Sequence, residues 1–251
     1  GNFGDVNSGD RAAAPRYIEA KLSDFALDIA FNKNLTDFQP SYDGRNNEPV
    51  CLPMKFPMVL LNGTEGIAVG LSTRILPHNF TEIIRSSICI LKGRSFKLFP
   101  DFPSYGMVDV TDYKDGKRGG KIRIRSEIEI LSKDTLLIKN VPYSVNTKSL
   151  INSILKANDK DKIKIKNIQD NTAEDVNIII NLPKGVSPDQ TIDALYLFTQ
   201  CEISLSTMCC IIIDNKPKFT DVNEILYSSV KATQNLLKRE LEYDKEQLEN
   251  I

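Results

Sequence analysis

Histidine occurs once in this sequence, at His78, and the five cysteines show no metal-like spacing. A His- or Cys-based metal cluster is therefore not expected, and an odd set of thiols without such spacing fits a reducing, cytoplasmic setting. There is no excess of either charge: 32 Lys and Arg face 33 Asp and Glu, a formal net charge of -1. Any contact with a polyanion must come from local patches, not from a globally basic surface. No apolar run reaches the length of a membrane span, which excludes a membrane partner of that kind. No signal peptide is visible, and neither an internal repeat nor a low-complexity tract occurs. A Walker-type phosphate loop is missing too. Gly116-Lys117-Arg118-Gly119-Gly120 is too short and lacks the lysine-serine ending. Asp112, Asp115, Asp134, Asp159 and Asp161 lie scattered in stretches that read as solvated turns, so no metal-ligating residue is assigned.

What the chain does have is an organised succession of patterns. The first residues are polar and punctuated by Gly1, Gly4 and Gly9. A helix is expected to begin near Asp10, because Tyr17, Lys21, Leu22, Phe25, Ile29 and Ala30 recur at three- and four-residue steps. Asn32 to Asn47, with Pro40 and Asp43-Gly44, reads as a loop or turn. From about residue 48 the pattern changes to strands and short helices. Val108–Val110, Thr135–Ile138 and Val176–Ile180 are strand candidates. Lys121-Ile122-Arg123-Ile124-Arg125 alternates with period two, which puts its cations on one face of a sheet. Asn79, with Glu82 three residues on, reads as a helix start, and Thr147–Ala157 and Thr191–Gln200 read as helices. Asp221 to Ile251 contains neither glycine nor proline. Val230 and Leu237 stand one heptad apart, as do Leu241 and Leu248. That spacing suits either a coiled-coil seam or one amphipathic helix lying on the rest of the chain. The mixed order implies an α+β fold.

Three places could carry chemistry. The first is Arg16-Tyr17. A phenol is a poor nucleophile at neutral pH unless fixed cations stabilise the phenolate and the group under attack. Arg16 can do both beside a phosphodiester, since its planar fork matches phosphate oxygens. Pro15 fixes one backbone angle just upstream. The second is Ile67, between Gly66 and Ala68, which is either a core residue or a displayed wedge able to enter a base step. The third is the basic strand Lys121, Arg123 and Arg125, with Lys117 and Arg118 nearby, which is either a solvated face or a contact for duplex backbone. Asn62 and Arg74 are further contact candidates. His78 precedes a helix start, where backbone hydrogen bonding and phosphate contact are both open.

Ala12-Ala13-Ala14-Pro15-Arg16-Tyr17-Ile18-Glu19-Ala20-Lys21-Leu22 resembles the active-site tyrosine segment of type IIA DNA topoisomerase A subunits. Gly1–Gly4, Glu48–Pro57, Leu60–Gly70, Leu76–Phe80 and Pro100–Pro103 resemble the same family in the same order. The likeness continues through Thr191–Thr199 and Cys201–Ser204, and these later words look most like the A subunit of bacterial topoisomerase IV, with gyrase A close behind. The resemblance implies the end of a winged-helix domain at 1–47, a mixed α/β tower domain at 48–218, and the start of a long coiled-coil helix at 219–251. It implies that Tyr17 becomes covalently joined to a broken DNA strand, with Arg16 on the scissile phosphate, and that Ile67 enters and bends the duplex. Mg²⁺ and ATP would both be held by a separate B subunit, none by this chain alone. The expected partners are double-stranded DNA, a second copy of the A subunit, and the B subunit, together an A2B2 heterotetramer, in the cytoplasm with the nucleoid. The chain opens on glycine inside a family motif and so reads as a fragment. Negative supercoiling by a gyrase A subunit is the alternative activity. A non-catalytic DNA-bending protein and a coiled-coil interaction module are the rivals from other classes.

Overall fold

The structure is a computed structural model that describes residues 1–5, 8–213 and 215–250. A 3-10 turn at Pro15–Tyr17 precedes helix α1 (Asp24–Ala30). Strands β1 (Phe38–Pro40) and β2 (Asn47–Pro49) follow, then α2 (Met58–Asn62), β3 (Thr64–Ala68), β4 (Leu71–Ile75) and α3 (Phe80–Leu91). Next come β5 (Met107–Asp109), β6 (Gly120–Arg125), β7 (Ile128–Ser132), β8 (Thr135–Ile138) and α4 (Thr147–Asp159). The chain continues through β9 (Asn167–Asp170), β10 (Ile178–Asn181), α5 (Pro188–Phe198) and β11 (Glu202–Thr207). It ends with β12 (Cys210–Ile213), β13 (Lys216–Phe219) and the long α6 (Val222–Glu249). This is a mixed α/β architecture of small antiparallel sheets ending in a long helix.

The chain folds as two compact units, both discontinuous in sequence. The first gathers Gly1–Glu19, Asp101–Lys114 and Arg118–Thr207. Its larger sheet has the order β7-β8-β10-β9 and its smaller one β11-β6-β5. Ile178 and Ile180 of β10 are buried, as are Leu136 and Ile138 of β8. The spacing of two in each strand sends both pairs to the same side. Leu150, Ile154 and Ala157 of α4 join the same core at helical spacing. Each such Leu or Ile contributes on the order of 1.5–3 kcal/mol by leaving water. Asn146 starts α4 by accepting from the Ser149 backbone N–H at 2.8 Å, while Ser149 Oγ accepts in return from the Asn146 N–H.

The second unit gathers Ala20–Pro100, Asp115–Lys117 and the chain from Met208 onward. Asn79 caps α3, its side chain accepting from the N–H groups of Thr81 and Glu82 as the sequence suggested. Phe25, Phe56 and Phe80 cluster with ring centroids 5.1–6.4 Å apart. Val222, Ile225, Leu226 and Val230 of α6 are buried, but Leu237, Leu241 and Leu248 are exposed. Val230, the heptad spacing of which suited either a seam or a packed amphipathic face, thus belongs to the core of its own unit. Farther along, Lys55 Nζ meets Glu240 at 2.6 Å, and Asn32 donates to the same carboxylate at 2.9 Å. The bond from Lys55 holds the Glu240 carboxyl below its ordinary range. Among the described residues, no helix is long and apolar enough to cross a membrane.

Two expectations about local structure are corrected. No α-helix runs from Asp10 through Tyr17. Ala14 is extended at φ -59 and ψ 142, because the residue before a proline is pushed out of the helical region. Only a single 3-10 turn forms, and the helix starts at Asp24, where Ser23 caps it by accepting from the Ala26 N–H. Likewise, 32–47 is not simply a loop. It carries part of the β1–β2 hairpin, with Asp43 accepting from Ser41 and Arg45 at the turn.

Candidate nucleic-acid interface

Tyr17 ends its 3-10 turn with the side chain 68% exposed. The Arg16 guanidinium carbon lies 4.9 Å from the Tyr17 ring centroid, so the cation and the phenol share one patch. Among the described residues, no carboxylate lies within ion-pair distance of Arg16. The backbone beneath is well tied. Ile18 N–H donates to the Pro15 carbonyl at 3.1 Å, and Ala13 N–H donates to the Asn2 carbonyl at 3.0 Å. The glycine-rich segment is itself docked on the start of α4. Asp10 pairs with Lys148 at 2.9 Å, which holds the Asp10 carboxyl below its usual range. Gly9, at φ +74, lies so close to Asn146 that an added Cβ would stand 2.3 Å from its amide nitrogen.

The second group is the exposed face of β6. Lys121, Arg123 and Arg125 point out while Ile122 and Ile124 are buried, in line with the alternation of the sequence. Register then adds something that alternation cannot show. Asp109 of β5 stands opposite Arg123, and Glu202 of β11 stands opposite Arg125. Both pairs are closed: Arg123 meets Asp109 at 2.6 Å, and Arg125 Nε donates to Glu202. The Asp109 carboxyl lies far below the usual carboxylate range, first because Thr111 donates to it and then because Arg123 does. Asp109, Asp112, Lys121 and Arg123 line an open cleft of about 350 Å³.

In the other unit, the β3–β4 hairpin displays Ile67 at 90% exposure, and nothing stands within 4 Å of where a Cβ on Gly66 would be. Burial in a core, one of its two open roles, is absent. Val69 at the tip is fully exposed as well. Arg74 pairs with Glu65 directly across the same hairpin. Asn62 is exposed at the end of α2. His78 differs, being 2% exposed with Nδ1 3.1 Å from the Leu60 carbonyl oxygen. Of its two open roles, backbone hydrogen bonding is the one present, and its ring is withdrawn from the surface.

The whole chain, residues 1–251, matches the sequence model of the family of DNA gyrase/topoisomerase IV A subunits. The chain belongs to that family. It is 42% identical over 248 residues to the DNA topoisomerase 4 A subunit of Borreliella burgdorferi, a match covering 99% of this chain and 39% of that protein. It is 33% identical over 265 residues to the DNA gyrase A subunit of Clostridium acetobutylicum, covering 98% of this chain and 32% of that protein. The DNA gyrase A subunit of Borreliella burgdorferi itself is 30% identical over 263 residues, covering 97% and 32%. The chain thus spans between about a third and two-fifths of the length of these relatives.

For a gyrase/topoisomerase IV A-subunit chain, two features here escaped sequence reading. Asp109 and Glu202 lie 14 and 77 residues from their arginines, and only register reveals them. The exposed Val69 went unread as well, although its signal lies in the sequence: Val69-Gly70 is a two-residue hairpin turn beside the glycine-flanked Ile67. Two of the thiols are kept protonated by their surroundings. Burial pushes Cys201 up to about 11 and Cys209 up to about 12. Among the described residues, no group of three or more His, Cys, Asp or Glu is placed to hold a metal ion.

Proposed function

We propose that this chain is the tyrosine-bearing part of a type II DNA topoisomerase A subunit of the topoisomerase IV kind. The observation that carries the reading is the exposed Arg16-Tyr17 patch on a chain that belongs to this family. Tyr17 Oη attacks the phosphorus of a DNA phosphodiester in line. The bond from phosphorus to the deoxyribose oxygen breaks, and that oxygen takes up a proton equivalent to the one the phenol gives up. The product is a phosphotyrosine ester, which conserves the energy of the broken bond, so resealing is the same step reversed. Arg16 stabilises the charge on the crowded phosphoryl oxygens. Ile67 enters a base step and kinks the duplex, and Asn62, Arg74, Lys121, Arg123 and Arg125 contact its backbone.

In this reading residues 1–47 end a winged-helix domain, 48–218 form the tower, and 219–251 begin the coiled coil. One Tyr17 cuts one strand, so the working unit is A2B2, with the B subunits holding Mg²⁺ and ATP; it works on the nucleoid in the cytoplasm. The higher identity to a topoisomerase 4 chain than to the gyrase chains supports the topoisomerase IV assignment over gyrase.

The decisive experiment is to trap a covalent adduct between duplex DNA and the intact protein assembled with its B subunit, then to map the modified residue. Phosphotyrosine at Tyr17 is the expected result. An adduct elsewhere would remove Tyr17 as the nucleophile, and DNA bending with no adduct would replace a nucleophile with a bending protein.

A further inference from the structure

The face of β6 carries as much negative as positive charge. Lys121, Arg123 and Arg125 are matched by Asp109, Asp112 and Glu202, and the two arginines are already paired across the sheet. We propose that Asp109 and Glu202 act as built-in competitors of DNA phosphate, holding Arg123 and Arg125 in place and lowering the affinity of this face for duplex. The proposal rests on the reading of β6 as a duplex-contacting strand and adds to it the residues that set how tightly the strand grips.

The geometry supports the competition. Each carboxylate stands directly opposite its arginine in the strand register, one on either side of β6. Each pair is partly exposed, with Arg123 and Arg125 side chains 51% and 44% accessible, so a phosphate can approach without unfolding the sheet. An arginine has five N–H donors in a fixed fork. Glu202 accepts from the Nε edge of Arg125, the guanidinium carbon of which also lies 4.9 Å from the Tyr196 ring centroid. The ring and the carboxylate hold the guanidinium on the sheet face before any ligand arrives. Thr111 fixes Asp109 by hydrogen bonds from its hydroxyl at 2.6 Å and its backbone N–H at 3.0 Å. These bonds orient the carboxylate and, with Arg123, hold it far below the usual carboxylate range. Binding to this face therefore exchanges one ion pair for another, where three unpaired cations would only gain. A protein that must hold a duplex and later let it go is served by such an exchange.

Affinity for a short labelled duplex, measured on the intact protein against salt concentration, tests this. Asp109→Asn and Glu202→Gln should each tighten binding by about 2- to 5-fold, the worth of an exposed ion pair. Each should also steepen the dependence of log affinity on log salt by about 1. In an Arg123→Ala background, Asp109→Asn should then change little. Asp134→Asn removes the same charge where no arginine is bound, and it should have no effect on its own. Equal tightening by Asp109→Asn with and without Arg123 would overturn the proposal, because general charge would then explain it. Weakened binding in Arg123→Ala and Arg125→Ala without strengthening in the carboxylate variants would overturn the competitor role and leave the contact intact. Unchanged binding in the arginine variants would overturn the contact itself, and the competitor role with it.

Discussion

Arg16 and the arginines of β6 are the same side chain in opposite circumstances. Arg123 and Arg125 stand on a hydrogen-bonded ladder, each with a carboxylate opposite. Arg16 stands on a single 3-10 turn with an aromatic ring for its neighbour and no carboxylate in reach among the described residues. A guanidinium closed on a carboxylate has its field largely cancelled and must be freed before it can help an anion. One left over a phenol keeps its charge available for the moment at which negative charge develops. The supports differ as well. The sheet arginines are placed by strand register, whereas the Arg16-Tyr17 turn is placed by the docking of a glycine-rich segment on α4.

Single substitutions can break or sharpen this contrast. Tyr17→Phe removes one oxygen and almost no surface. It should abolish DNA cleavage in the assembled enzyme while duplex affinity stays within about 2-fold, as phosphate contacts are kept. Persisting cleavage complexes would remove Tyr17 from the chemistry. Arg16→Ala should slow cleavage by at least ~100-fold, the scale of losing one transition-state donor. Arg123→Ala should act on binding and its salt dependence instead. Similar cleavage defects in the two single-turnover rates would erase the distinction between them.

Gly9→Ala probes the docking. Strain at a positive φ and the clash with Asn146 should cost about 1–3 kcal/mol in denaturant unfolding. Gly66→Ala, on the open hairpin, should stay within about 0.5 kcal/mol. A neutral Gly9→Ala would mean that the tyrosine turn does not depend on that close approach. Smallest in stability is Ile67→Ala, because the side chain is already in water. Its thermal midpoint should move by no more than about 1 °C, whereas a core change such as Ile178→Ala should cost about 2–5 kcal/mol. Duplex bending, read by energy transfer between end labels, should nonetheless decrease in Ile67→Ala. An early-melting variant that bends DNA normally would return Ile67 to a packing role.

Patterns confined to a few neighbouring residues were legible in the sequence. The Asn79 cap, the alternation of β6 and the helices at 147 and 191 all appear close to where local rules put them. Around Tyr17 a local rule also overrides the helical periodicity, since Pro15 keeps Ala14 extended. What no window could contain is the long-range pairing. Glu202 reaches Arg125 only because β11 lies beside β6, and Gly9 matters only because Asn146 occupies the space beside it. The basic strand was therefore legible as cations, but its neutrality was not. Val230 shows the same limit, since a heptad position and a core position look alike until the partner face is known.

Glu240 gives α6 a mechanical character. The helix is fastened there to Lys55 and Asn32, with its own buried residues all lying earlier along the chain. Beyond that rivet, Leu241–Glu249 projects as a stiff rod of roughly 14 Å, at 1.5 Å per residue. A tilt of about 10° at the fastening sweeps its far end through roughly 2 Å. Any force on Leu241 or Leu248 is delivered first to the two side chains gripping Glu240, which makes that carboxylate the point where movement of the rod becomes strain in the unit that holds it.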